Sequence, residues 1–115
     1  MSPELARGWI EYHRTKDDSL FWTFEKLDNL CEESPELAWE VILEIFHLNP
    51  GPEVLANLAA GPLEEILHLH GREFVDRFEI LTRQNPKFVP VAKGVWISGA
   101  PKEVSERVHE IQAKY

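Results

Sequence analysis

Three Glu-x-x-His pairs are the first residues in this chain that could do chemistry: Glu44/His47, Glu65/His68 and Glu106/His109. On a helix this spacing puts both side chains on one face. Two such pairs with two further inward glutamates build the cage of a di-iron bundle. That cage needs long helices, whereas Pro50, Pro52 and Pro62 cut the chain into short ones. No metal or other cofactor is therefore expected. The histidines have a plainer place at helix ends, His47 ahead of Asn49-Pro50 and His68 and His70 ahead of Gly71, where positive charge favours the helix dipole. Cys31 is followed by Glu32 and Glu33, which favour the unreactive protonated thiol. The glycines are scattered rather than clustered into a phosphate loop, and Ser2 and Ser34 precede prolines as helix caps rather than nucleophiles. No catalytic residue is assigned, and no enzyme is expected.

The acids form the stronger pattern. Between Asp18 and Glu44 stand Asp18, Glu25, Asp28, Glu32, Glu33, Glu36, Glu40 and Glu44, with Lys26 the single base. Like charges four residues apart on a helix cost about 0.2–0.5 kcal/mol per pair. The rows Glu36/Glu40/Glu44 and Asp28/Glu32 accept that cost with almost no compensation in the sequence. The plain alternative is a solvated face that serves solubility. The net charge is −8, concentrated in residues 1–50, where eleven acids face four bases; residues 87–115 hold three acids and five bases. An acidic half repels nucleic acid, which needs clustered Lys and Arg, and attracts a basic protein.

Positioning these residues is the work of helices. At 115 residues the chain has the length of one domain, and 1–115 is expected to fold as a single helical unit. Its lone cysteine has no internal partner, which fits a reducing compartment. The opening residues carry no basic stretch followed by an apolar run, and no segment has the roughly 18 apolar residues of a membrane span. A soluble, cytoplasmic protein is expected, without membrane contact.

Ser2-Pro3-Glu4 opens a first helix that runs to about Lys16, and Leu20, Phe21, Phe24, Leu27, Leu30 and Cys31 recur at helical spacing through a second. Ser34-Pro35-Glu36 repeats the opening device for a third helix, to Leu48, apolar all round except for the stripe of Glu36, Glu40, Glu44 and His47. Gly61-Pro62 divides residues 52–70 into two pieces at an angle, and Gly71 suits a left-handed cap before a helix ending at Asn85-Pro86. Residues 86–100 are irregular, with Val95-Trp96-Ile97 extended across the core, and Pro101 to Tyr115 forms a last helix. The class is all-α, either stacked antiparallel hairpins of the HEAT kind or a compact orthogonal bundle. Trp9, Trp39 and Trp96 belong in the core. Trp22, between Phe21 and Phe24, is the exception, because an amphipathic helix must leave one of those three rings near the surface.

Leu-Ala-Ala-Gly-Pro-Leu-Glu at 58–64, His70-Gly71, Asn85-Pro86, Phe88 and Gly94-Val95-Trp96 follow one another in an order that resembles a small bacterial domain family of unknown function. The resemblance spans about residues 35–108. It implies an all-helical bacterial protein, loosely similar to HEAT-type helix pairs, and transfers no catalytic residue.

The functional expectation is a non-enzymatic module whose acidic surface, with Asp28, Glu32, Glu36, Glu40, Glu44 and Trp22, captures a basic protein partner. A toxin-neutralising immunity protein is its most concrete version. The alternatives are an inhibitor that mimics nucleic acid and a metal-dependent enzyme built on the Glu-x-x-His pairs.

Overall fold

Proline and left-handed residues punctuate the chain. The computed structural model describes residues 3–115, so the Ser2 cap lies outside the described residues. Helix α1 (Pro3–Thr15) ends at Lys16, in the left-handed region at φ 59°. A 3₁₀ turn at Asp18–Leu20 follows, capped by the Asp17 carboxylate, which accepts from the Ser19 N–H at 2.9 Å. It leads into α2 (Phe21–Glu33). Ser34 joins α2 to α3 (Pro35–His47) through its backbone: its N–H donates to the Leu30 carbonyl and its own carbonyl accepts from Ala38. Its side chain makes no cap hydrogen bond. The expected serine cap is thus a backbone joint with Pro35, which has no N–H to satisfy, at the helix start. Asn49, at φ 50°, and Gly51, at φ 99°, turn the chain after α3.

The next stretch differs from the expectation. Gly61-Pro62 does not separate two pieces: α4 (Pro52–Leu58) continues through a π-helical turn (Ala59–Leu63) into α5 (Glu64–Gln84). A proline inside an α-helix donates no hydrogen bond and its ring crowds the carbonyl four residues back. The wider π turn accommodates both effects and lets the helical path continue. Nor does Gly71 end a helix. The chain kinks at His70 (φ −133°) and continues, and Gly71 is buried where α7 (Lys102–Lys114) crosses. A β-carbon there would lie 2.5 Å from Val104 Cγ1, so this glycine supplies close approach rather than positive φ.

A 3₁₀ turn (Pro86–Phe88) and short α6 (Val89–Lys93) precede the segment 94–101. No strand occurs among the described residues; Val95 and Ile97 are buried while Trp96 between them points outward. The all-α class is observed. Helices α1, α2 and α3 pack mutually, and α5 crosses α2 on one side and α7 on the other. That mutual packing describes a bundle rather than a row of stacked hairpins. The Cα radius of gyration of 13.3 Å is the value of about 13 Å that a compact chain of this length should have.

One contiguous cluster of buried apolar residues runs from Leu5 to Ile111, with Trp9, Phe74, Phe78 and Phe88 as its largest fully enclosed side chains. Helix α3 supplies Ala38, Trp39, Val41, Ile42, Ile45 and Phe46 to it. Leu37 and Leu48 remain exposed, so its polar face is wider than the sequence pattern implied.

Candidate functional site

A cleft of about 250 Å³ opens beside the π turn. Helix α2 forms one wall with Phe24 and Asp28; the π turn and the start of α5 form the floor and second wall with Gly61, Pro62, Glu64, Glu65 and His68; Trp96, Ile97 and Ser98 close the third side, and Trp9 lies behind. Three carboxylates therefore line one depression, and among the described residues neither Lys nor Arg lines it.

Local structure explains each placement. The π turn aims Glu64 and Glu65 into the cleft one position apart. Glu64 accepts a hydrogen bond from the Trp96 backbone N–H at 3.0 Å, and Gln112 of α7 donates to the Val95 carbonyl at 2.7 Å and to Ala92 at 3.0 Å. With Val95 and Ile97 anchored in the core, the indole between them has to stand outward. It is 78% exposed, the most open large apolar side chain described. Trp96 thus lies outside the core expected for it, because alternation about two buried neighbours sends the middle residue to the surface.

Asp28 and Glu65 approach the same region from different helices. The buried Cys31 thiol, whose Sγ lies 3.8 Å from the Pro62 carbonyl, has its pKa pushed up to about 12 by burial first and then by the Asp28 and Glu65 charges. It is held as an unreactive thiol. Behind the cleft, His13 packs on Trp9 with ring centroids 4.1 Å apart and faces Tyr12 and Phe24. Neither of its ring nitrogens has a hydrogen-bond partner, and burial, assisted by Lys16, lowers its pKa to about 4. Its neutral form is the one the aromatic surroundings accept.

Gly61 sits at negative φ with nothing within 4 Å of where a β-carbon would stand. Glycine in a helical interior costs about 1 kcal/mol relative to alanine, but here it precedes Pro62, whose ring crowds a β-carbon on a helical residue before it. Its lack of a side chain also leaves the cleft floor unobstructed.

The expected acidic surface is divided by the structure. Glu36 forms a bidentate pair with Arg77 of α5, both contacts at 2.7 Å, and those hydrogen bonds hold its carboxyl below the usual carboxylate range. The compensation missing from the local sequence comes from a residue 41 positions away. Glu40 is exposed and Glu44 half-buried on the same stripe, while Glu32 is exposed on α2 one turn beyond Asp28. Asp28 faces the cleft. Trp22 is 50% exposed, and so, at 40% each, are Phe21 and Phe24, whose rings stack at 5.5 Å. The surface keeps all three rings of that set, with Phe24 joining the patch to the cleft.

The Glu-x-x-His pairs stay apart. His47 Nδ1 donates to the Leu43 carbonyl at 2.8 Å, Glu106 sits 3.8 Å from Lys102, and Glu65 and His68 alone enter the cleft. Among the described residues no group of three or more His, Cys, Asp or Glu is arranged to hold a metal ion. Among the described residues no helix is long and apolar enough to cross a membrane.

The segments that build this cleft are those of the Leu-Ala-Ala-Gly-Pro-Leu-Glu motif and Gly94-Val95-Trp96, and the model of a family of unknown function, DUF6869, matches residues 11–115. The chain belongs to that family. No curated protein and no solved structure matches it. The DUF6869 match takes in every cleft residue except Trp9. The sequence pattern gives Glu65 a place only in a metal pair, His68 a place in that pair or at a helix end, and Glu64 none beyond the Leu-Ala-Ala-Gly-Pro-Leu-Glu motif. The signal that could have found them is Glu64-Glu65 directly after a Gly-Pro that interrupts a helix, since π turns are frequent at functional sites.

Proposed function

We propose that this protein is a non-enzymatic recognition module that captures a basic protein partner, with the cleft of Asp28, Glu64 and Glu65 as the centre of its binding surface. The observation that carries the reading is the sign of the lining: three carboxylates from two helices with no lysine or arginine to neutralise them. A site built for an anion or for nucleic acid would have the opposite sign. Nearby aromatics, Trp96 in the wall and Phe21, Trp22 and Phe24 at the edge, supply the large amphipathic rings that concentrate binding energy at protein interfaces. The acidic stripe around Glu40 lies outside this centre and adds long-range attraction.

Neutralising a cationic toxin is the most concrete version. A negative module steers onto a basic toxin and covers the channel that would take its substrate, and mimicry of nucleic acid is the same logic applied to a nuclease. Both place the module in the cytoplasm of a bacterial cell.

The test compares three forms of the full chain as bait in host-cell extract: wild type, Asp28→Asn/Glu65→Gln, and Glu40→Gln/Glu44→Gln. A basic protein retained by the wild type and by the stripe variant, and lost by the cleft variant, supports the reading. Retention by all three forms, or retention of acidic proteins, contradicts it.

A further inference from the structure

Resting on that reading, we infer that the cleft is a receptor for one arginine side chain of the partner, its guanidinium laid on the Trp96 indole with Asp28 and Glu65 as its carboxylate partners. Size comes first. Pockets for whole small-molecule ligands usually run about 300–1,000 Å³; at about 250 Å³ this one suits a single large side chain entering from a partner surface. The lining then selects the class, because three carboxylates with no lysine or arginine among them leave a cationic group as the natural occupant.

Shape separates the two cationic side chains. Lysine ends in a compact, strongly hydrated ammonium that gains little from a flat wall. Arginine ends in a plane of N–H donors that stacks on an aromatic face and forks toward carboxylates at its edge. The cleft offers an indole 78% exposed, on a backbone whose N–H at Trp96 donates to Glu64, so the segment that presents the ring is tied to the cleft wall before anything binds. Glu64 is thus a positioning residue, leaving Asp28 and Glu65 for the ligand. Gly61, which also relieves the crowding before Pro62, keeps the floor clear. At the rim, Phe24 and its stacked neighbour Phe21 are placed to cover apolar residues flanking the arginine and so exclude water from the charged contact.

The experiment titrates the ¹⁵N-labelled full chain with three acetylated, amidated pentapeptides, Gly-Leu-X-Leu-Gly, in which X is arginine, lysine or the neutral isostere citrulline. The indole N–H signals are followed, with that of Trp96 assigned from Trp96→Phe. The arginine peptide should shift the Trp96 signal and bind about ten-fold more tightly than the lysine peptide, and citrulline should leave the signal in place. Asp28→Asn/Glu65→Gln should weaken arginine binding about ten-fold or more while the remaining spectrum shows the same fold. Equal binding of arginine and lysine, binding of citrulline, an unmoved Trp96 signal, or full binding by the double variant would each overturn the arginine site. The two readings fail separately. A Trp96→Ala protein that still captures a basic partner through Asp28 and Glu65 ends the arginine site and leaves basic-partner capture standing, whereas capture indifferent to Asp28 and Glu65 ends the broader reading.

Discussion

The α5–α7 face and the cleft carry acids at opposite ends of one helix, and they treat them differently. Along α5 and α7, Arg72 meets Glu103 at 2.6 Å, Arg107 reaches both Asp76 at 3.0 Å and Glu79 at 2.8 Å, and Lys114 approaches Glu79 at 3.7 Å. At the start of the same α5, Glu64 and Glu65 share the cleft with Asp28, with no lysine or arginine among the lining residues. Paired acids belong to the fold's own geometry and fix how two helices cross. Acids without an ionic partner that share a depression with an exposed indole repel one another, and only Glu64, bonded to the Trp96 N–H, has a structural task there. Counting acids along the chain does not separate these cases, whereas asking which of them has a partner does.

The largest effect should come from breaking the paired face at its tightest point. Gly71→Ala places a methyl group 2.5 Å from Val104 Cγ1. Overpacking of this kind costs about 1–3 kcal/mol, read as a lower urea midpoint. Val104→Ala in the same chain should return part of that loss, a non-additivity expected of residues in contact. If Gly71→Ala is neutral, the α5–α7 crossing is looser than described.

Acid should separate the two regions by pH window. His13 has a folded pKa of about 4, below its ordinary 6.5, so the unfolded chain binds a proton that the folded chain refuses. Its contribution to stability is complete above pH 6.5 and declines as pH falls toward 4. The carboxylates of Glu36, held low by its hydrogen bonds to Arg77, and of Glu103, held low by its own backbone N–H and then by Arg72, lose theirs only below their ordinary value of 4.5. The melting temperature should therefore fall between pH 6.5 and 5, and His13→Phe should flatten that part of the curve. An unchanged slope in His13→Phe would place the acid sensitivity elsewhere.

Smaller effects follow from deleting single charges. Arg107→Ala removes two ion pairs on a half-exposed face and should cost about 0.5–1 kcal/mol by urea denaturation. Asp28→Asn/Glu65→Gln should leave stability unchanged or raise it by a few tenths of a kcal/mol, because it relieves repulsion and breaks no ion pair. Destabilisation by the cleft variant as large as that of Arg107→Ala would show that those carboxylates hold the fold together, and the contrast between the regions would fail.

Most of the helices were legible because their signals are local. Pro35 with the periodic run after it marks α3 nearly to its last residue, and Asn49-Pro50-Gly51 marks its end. The cleft was less legible because its parts meet only in three dimensions. Trp96 lies in a segment without periodicity, and its exposure is decided by Glu64 and Gln112. Gly71 has the look of a helix cap, and only the arrival of Val104 gives it another task. The acidic row read as uncompensated because Arg77, the partner of Glu36, lies on another helix. Trp22 was readable as exposed, since three adjoining rings cannot all face one core.

The central claim is that unneutralised carboxylates in the cleft, rather than acidity in general, capture the partner. Its most direct measurement is the association rate of the captured basic protein with wild type and with Asp28→Asn/Glu65→Gln at two salt concentrations, with Glu40→Gln/Glu44→Gln as the control of equal charge change. The wild-type rate should fall as salt rises, and the stripe variant should be slowed only modestly at low salt, since it removes attraction at a distance. The cleft variant should associate more slowly and also dissociate faster. If cleft and stripe variants are slowed alike and neither dissociates faster, acidity alone drives the encounter, and the cleft is not where the partner is held.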